Sequence, residues 1–445
     1  MSTTETISLP RNLPKRKVVS QAVASDYAFI KKLIWAYFLL LLFEGALRKW
    51  FLPGLSNGLL IIRDPIVISI YFVAFTQNIN PLNNKYISFL IRLTIFSTIV
   101  SVLVGAHPLT MIYGARTNLL HFPLIFVMGR VLSWNDVLNY GKAFLILALP
   151  MTWVVAEQFQ ADRFDTINVA AGGTGHQMMT SGDKVRASGT FTFVSGIVFF
   201  YCFAVAFIIY GFLQKNVFPK WMLYLGTTAS LLAMVTAGSR SVIAESLQVF
   251  ACLGFLAYFK PNEFGKMAIT SFAIAAIALT LYSQIDLFKD GLNFLSLRFE
   301  EAANVEGNPI EAYFIRYADI ISAPFYSLNF TSVHGLLGWG IGSGTRAGAA
   351  LGFGRGYELD WARHVFESGS IMGVLFIAFR FWICKDMLYI CIRAIKNNSY
   401  LAILIWGACA PVILFGILGQ PTNLGFAAFG GGLCLAAARP QMKIN

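Results

Sequence analysis

The sequence predicts an all-α polytopic integral membrane protein of about twelve spanning helices, with a large, partly helical polar loop between spans nine and ten. Three observations predict it. Of the 445 residues, 57% are hydrophobic and only 13% are charged, whereas water-soluble domains carry about 25% charged residues. Mean hydropathy is +0.64. The apolar residues gather in runs close to the ~20 needed for a helix to cross a bilayer. This composition excludes an ordinary cytosolic enzyme, a disordered chain and a small disulfide scaffold.

In chain order, residues 1–32 form a polar, basic tail (MSTTETISLPRNLPKRK at its start). The tail lacks a short apolar core with a small-residue cleavage site, so the first span reads as a retained anchor. Spans are expected near 33–52, 58–76, 87–105, 109–132, 138–160, 188–213, 221–239, 241–259 and 266–285, making one membrane block over 33–285 with a polar loop at 161–187. The large loop covers 286–365. Three further spans at 366–384, 400–419 and 422–438 make the second block, 366–438, and 439–445 is a short tail.

Lys and Arg placement sets the orientation. Arg11, Lys15, Arg16, Lys17, Lys31 and Lys32 fall on the same side as Lys85, Arg130, Lys215, Lys220, Lys260, Lys266, Lys385, Arg393, Lys396, Arg439 and Lys443. Basic residues concentrate in cytoplasmic loops, so both chain ends are expected to be cytoplasmic and the loops 161–187 and 286–365 to face the periplasm. The formal charge of +12 is therefore topological and implies no nucleic-acid partner. Loop 286–365 is slightly acidic, with nine Asp or Glu against six Lys or Arg.

The cationic residues that break this pattern are the informative ones. An Arg at the centre of a spanning helix costs about 2.5–3.5 kcal/mol on insertion scales, and Arg63 (IIRDPI), Arg116 (YGARTNLLHFPL) and Arg380 (FIAFRFW) all sit in apolar stretches. Arg63 reads as a local ion pair with Asp64. Arg240, in TAGSRS at the junction of spans seven and eight, is on the wrong side for topology, and the small residues around it would let an anion approach closely. In the large loop, Phe314, Tyr317, Ala318 and Ile321 recur at helical spacing as a face suited to a membrane surface, and Arg316 lies among them. HGLLGWGIGSGTRAG follows, a Gly-dense turn whose successive N–H groups suit an anion nest. A dinucleotide reading of its GxGxG string has no strand–turn–helix context.

The loop closes in YELDWARHVFESGSIMG, which brings Glu358, Asp360, Arg363, His364 and Glu367 together where loop meets membrane. His364 and Glu367, three apart, share a helix face, so the carboxylate is placed to orient the imidazole. His107 and His121 flank prolines and read as packing residues; His176 and His334 lie in loops without evident partners. All six cysteines fall in or beside spans and read as packing residues. No zinc spacing, Walker loop, GxSxG or HExxH occurs, so a metal-free, cofactor-free site is expected.

With these motifs in order, the chain resembles the O-antigen polymerases and O-antigen ligases of bacterial envelopes. The resemblance covers roughly residues 44 to 373: EGALRKWFLP and RDPI, as in one polysaccharide-polymerase branch, then RASGTF, AGSRS, IRYADIISAP, LLGWGIGSG and DWARHVFESGSIMG. Val365 follows His364, where the ligases commonly carry Asn. The resemblance implies an inner-membrane glycosyltransferase acting at the periplasmic face on an undecaprenyl-pyrophosphate-linked oligosaccharide. Arg240 and Arg316 would bind the pyrophosphate, with Arg186 at the mouth of the sixth span as a secondary contact, and His364 would be the catalytic base. Glu358, Asp360 and Glu367 are the other groups able to take a proton there. A second lipid-linked repeat unit as acceptor makes the chain an O-antigen or exopolysaccharide polymerase, with a chain-length regulator as a partner; lipid A core as acceptor makes it a ligase of lipopolysaccharide synthesis. A transporter of lipid-linked oligosaccharide is the reading from another class, but it would lead one to expect two related halves and small loops.

Overall fold

The computed structural model describes residues 27–177, 184–306 and 309–439, so the tails at 1–26 and 440–445 lie outside the described residues. The chain is 77% helical, with no strand among the described residues beyond an isolated bridge between Val169 and His176. Six described stretches are long and apolar enough to cross a membrane: Pro53–Thr76, Lys85–Leu103, Trp134–Gln160, Val194–Leu213, Arg240–Phe259 and Pro261–Gln284. The protein is therefore a helical membrane protein.

Helix α1 (Ala28–Ala46) runs into a widened π-type turn at Leu47–Phe51 and is followed by α2 (Arg63–Thr76) and α3 (Lys85–Leu103). The stretch expected as one span at 109–132 divides into α4 (Pro108–Ala115) and α5 (Phe122–Val131), separated by a π-type turn at Arg116–Leu120. Pro123 explains the division, because it has no N–H to continue the helical ladder. The turn it leaves carries Arg116, Thr117 and Asn118.

Helix α6 (Trp134–Gln160) opens on a capping box in which Ser133 and Asp136 satisfy each other's backbone N–H groups. Helix α7 (Val194–Leu213) is hydrophobic all round and sits at the centre of the bundle, buried along almost its whole length. Helices α8 (Lys220–Thr236) and α9 (Arg240–Phe259) pack around it. In α10 (Phe264–Gln284) few side chains are buried, and Ile269, Phe272 and Leu279 are open to the surroundings. Large apolar side chains exposed in such numbers need a lipid environment.

The polar loop is largely helical: α11 (Asp286–Glu306), α12 (Pro309–Tyr326), α13 (Val333–Leu337) and α14 (Arg346–Ala350). Phe288 and Phe294 of α11 pack on Val235 and Phe159 respectively, fastening the loop to the bundle. The expected face of α12 is described only in part: Ala318 and Ile321 are exposed, while the Phe314, Arg316 and Tyr317 side chains lie outside the described atoms. Helix α15 (Asp360–Lys396) breaks at Gly369, whose φ of 76° is closed to most side chains. The break separates a short segment carrying Asp360, His364 and Glu367 from the apolar helix that follows. Helices α16 (Leu401–Phe415) and α17 (Pro421–Ala437) complete the bundle.

Candidate functional site

Asp360, Arg363, His364 and Glu367 are each no more than 3% exposed. Arg363 is the hub. It donates from Nε to Asp360 Oδ1 at 2.7 Å, from Nη1 to Glu367 Oε2 at 2.8 Å and from Nη2 to Asn118 Oδ1 at 3.4 Å. Arg380, set in the apolar stretch FIAFRFW and buried, donates to Asp360 Oδ2 at 2.7 Å and to the Ile413 and Gly416 carbonyls, both at 2.6 Å. Two guanidinium groups thus face two carboxylates in the interior, with hydrogen bonds that offset the cost of removing four charges from water.

The expected His364–Glu367 pair does not form. Glu367 is taken by Arg363 and by the Gly344 N–H at 3.1 Å. His364 instead lies beside Asp360, with 3.6 Å between Nε2 and Oδ2, and stacks on Phe376. The Arg363 Nη2 group donates to His364 Nε2 at 3.3 Å, which places the imidazole proton on Nδ1, a buried atom with no hydrogen-bond partner. A second proton on the ring would sit against a guanidinium. Spacing alone allowed Glu367 as the partner, but the Gly-rich turn competes for its carboxylate and holds it.

That turn is not an open anion nest. Trp339 N–H donates to the Phe366 carbonyl, Gly340 N–H to the Glu367 carbonyl, and Gly344 N–H to the Glu367 carboxylate. The anion it cradles is the protein's own. Gly338, at φ 83°, lies so close to the Glu367 carbonyl that a side chain would collide with it, and Gly369 meets the Leu336 carbonyl in the same way. The two glycine-bearing segments are locked together backbone to backbone.

The early motifs converge on the same end of the bundle. Arg63 does not pair with its neighbour Asp64. It donates from Nε to Glu44 Oε2 at 3.2 Å and from Nη2 to the Pro421 carbonyl at 2.5 Å, while Asp64 accepts from both Arg116 Nε and Nη2 and lies 3.1 Å from His121 Nε2. Successive helix positions point about 100° apart, so adjacent charges face different partners. Arg48 donates to the Ser56 carbonyl at 3.0 Å and to Glu44 at 3.4 Å. Lys49, 2% exposed, donates to Ser188 Oγ at 3.1 Å and to the Gly189 carbonyl at 2.5 Å, which ties EGALRKW to RASGTF. His121, expected as packing, is a hydrogen-bonding member of this network, with the Tyr37 hydroxyl 2.9 Å from its Nδ1.

The remaining candidates lie nearby or outside. Arg240 is the first residue of α9 and half-buried; the preceding Gly238, at φ 63°, packs against the Val185 carbonyl, so the chain carrying Arg240 runs beside the chain carrying half-buried Arg186. Arg316 is placed on α12 by its backbone only. Glu358 is exposed. His176 and His334, expected without partners, meet Phe164 and Trp339 respectively. One residue that sequence reasoning missed is Arg346, exposed at the start of α14, with its guanidinium 5.0 Å from the Phe193 ring. The loop from Gly338 to Arg346 therefore touches the acid–His segment through Gly344 and the mouth of α7 through Arg346. The signal was available in TRAG, an Arg that directly follows the Gly-dense turn.

All six cysteines are buried and unbridged. Among the described residues no group of three or more His, Cys, Asp or Glu side chains is arranged to hold a metal ion. No family model matches the chain, and no curated protein matches it.

Proposed function

We propose that the protein is a glycosyltransferase of the O-antigen or exopolysaccharide polymerase kind, joining lipid-pyrophosphate-linked glycans at the periplasmic face of a bacterial inner membrane. The observation that carries the reading is convergence: EGALRKW, RDPI, ARTNLLH, RASGTF, LLGWGIGSG and DWARHVFESG lie far apart in the chain, yet their polar residues pair across it, Lys49 with Ser188, Asp64 with Arg116, Arg363 with Asn118 and Glu367 with Gly344. Hydrophobic packing alone gives no reason to bring five arginines and four carboxylates into this region, since each buried charge costs free energy unless it is paired.

The chemistry follows from the donor. Its anomeric carbon bears a lipid pyrophosphate, a good leaving group, so the acceptor sugar hydroxyl attacks that carbon as the C1–O bond breaks and the pyrophosphate departs with the bonding electrons. Arg240, Arg316 and Arg186 hold the pyrophosphate by charge-assisted bonds and stabilise the charge that gathers on it. The acceptor hydroxyl gives its proton to a base on the closing segment. His364 is the first choice, once the Arg363 guanidinium moves from Nε2 to the incoming phosphate; Asp360, Glu367 and Glu358 are the others.

The deciding experiment incubates the purified full-length protein with an authentic undecaprenyl-pyrophosphate oligosaccharide. A ladder of longer lipid-linked products is expected, and Arg240→Ala abolishes it. Transfer to a lipid A core acceptor with no ladder would instead make the protein a ligase.

A further inference from the structure

At the opposite, basic end of the bundle a cavity of about 470 Å³ opens among the α2–α3 connection, the last turns of α5 and α17, and α15. Its floor is apolar, with Phe126 and Leu435, and its rim carries Asn80, Asn84, Arg130 and Arg439. No carboxylate lines it. Asn80 Oδ1 accepts the Leu82 N–H and Asn84 Oδ1 accepts the Tyr86 N–H, both at 2.9 Å, so the amide oxygens are spent and the amide nitrogens remain as donors. Arg439 donates to the Arg130 and Leu132 carbonyls at the end of α5. Arg130 itself is exposed. Asp386, one turn before Ile390 in the lining, is held by the Tyr86 hydroxyl at 2.5 Å and by Lys85. The rim therefore offers donors and positive charge with no competing anion of its own.

Depth identifies the ligand. Tyr86 stands beside Trp382, with 4.8 Å between ring centroids, and Lys85 lies over both rings. Tyr, Trp and Lys gathered in this way mark the headgroup level of a bilayer. We propose that this cavity binds an anionic phospholipid, with the phosphate and its substituent on the Arg130–Arg439 rim and the glycerol and upper acyl chain on the Phe126–Leu435 floor. A free phosphate would satisfy the rim and leave the floor wet, whereas a phospholipid covers both. Basic pockets between helices at headgroup depth have this specificity for physical reasons, since each cation near the surface adds attraction for a charged lipid.

The test is lipid retention by the full-length protein, read by native mass spectrometry after equilibration with phosphatidylglycerol or phosphatidylcholine. The proposal expects one phosphatidylglycerol retained in preference to phosphatidylcholine, roughly five-fold weaker retention in Arg130→Gln, and recovery in Arg130→Lys. Arg130 is exposed at a helix end, so these variants leave the packed interior untouched. Equal retention of the two lipids, or retention unchanged in both Arg130→Gln and Arg130→Glu, overturns the proposal. Displacement of phosphatidylglycerol by millimolar inorganic phosphate also overturns it, because the occupant is then a free anion.

Discussion

The Gly344 N–H donates to Oε1 of Glu367 at 3.1 Å, while Oε2 of the same carboxylate takes the Arg363 guanidinium at 2.8 Å. One buried side chain thus closes the Gly-rich loop and neutralises the hub of the acid–His segment. The two halves of its job are separable by mutation.

Glu367→Ala leaves Arg363 with an uncompensated charge in the interior and frees the Gly344 N–H. Breaking a buried pair from one side costs about 3–5 kcal/mol. Glu367→Gln keeps an acceptor for Gly344 and loses only the charge, so thermal unfolding in detergent should rank wild type above Gln and Gln above Ala. Equal melting of the two variants would show that charge alone matters.

Gly338→Ala and Gly352→Ala form a matched pair. Both positions have positive φ, 83° and 77°, but a side chain at Gly338 strikes the Glu367 carbonyl, whereas Gly352 has open space around it. Gly338, with ψ at -176°, lies where essentially only glycine is found, and positive-φ backbone costs a non-glycine residue about 1–3 kcal/mol. Gly352→Ala should show no more than that. Gly338→Ala should lose more and, because the collision displaces the carbonyl beside the acid–His segment, should also lower turnover in the proposed glycosyl transfer.

Gly425→Ala tests the reach of the early motifs. A Cβ there runs into the Arg63 guanidinium, which joins Glu44 to the Pro421 carbonyl. The variant should melt well below wild type. Gly254→Ala, in a helix interior with nothing nearby, should be neutral or gain about 0.5–1 kcal/mol.

His364→Gln and Glu358→Gln separate the candidate bases. General-base catalysis contributes about 10²–10⁴-fold, so His364→Gln should lower turnover by at least ~100-fold with little change in apparent substrate affinity. Glu358, exposed and outside the network, should tolerate Gln. The reverse ranking would falsify His364 as the base.

Composition and apolar run length determine the all-helical membrane class without any coordinates, because burying backbone in lipid leaves the helix as the simplest way to satisfy every N–H and C=O. Six described stretches are long and apolar enough to cross a membrane, whereas the stretch expected as one span at 109–132 divides at the Arg116–Leu120 turn. The clustering of Asp360, Arg363, His364 and Glu367 was also legible, since i, i+3 and i+4 positions on a helix are neighbours in any fold. Partner choice was not. Asp64 chose Arg116 over Arg63, Glu367 chose Gly344 and Arg363 over His364, and the supposed anion nest closed on an internal carboxylate. Spacing tells which side chains could meet, but the winner is set by which segments of a distant chain arrive alongside, and hydrogen-bond geometry is strict enough that a shift of one turn reassigns the pair. The sequence by itself therefore determined the class of molecule and the inventory of costly charges. Only the tertiary structure decided which of those charges neutralise one another and which face outward, as Arg346 and Arg130 do.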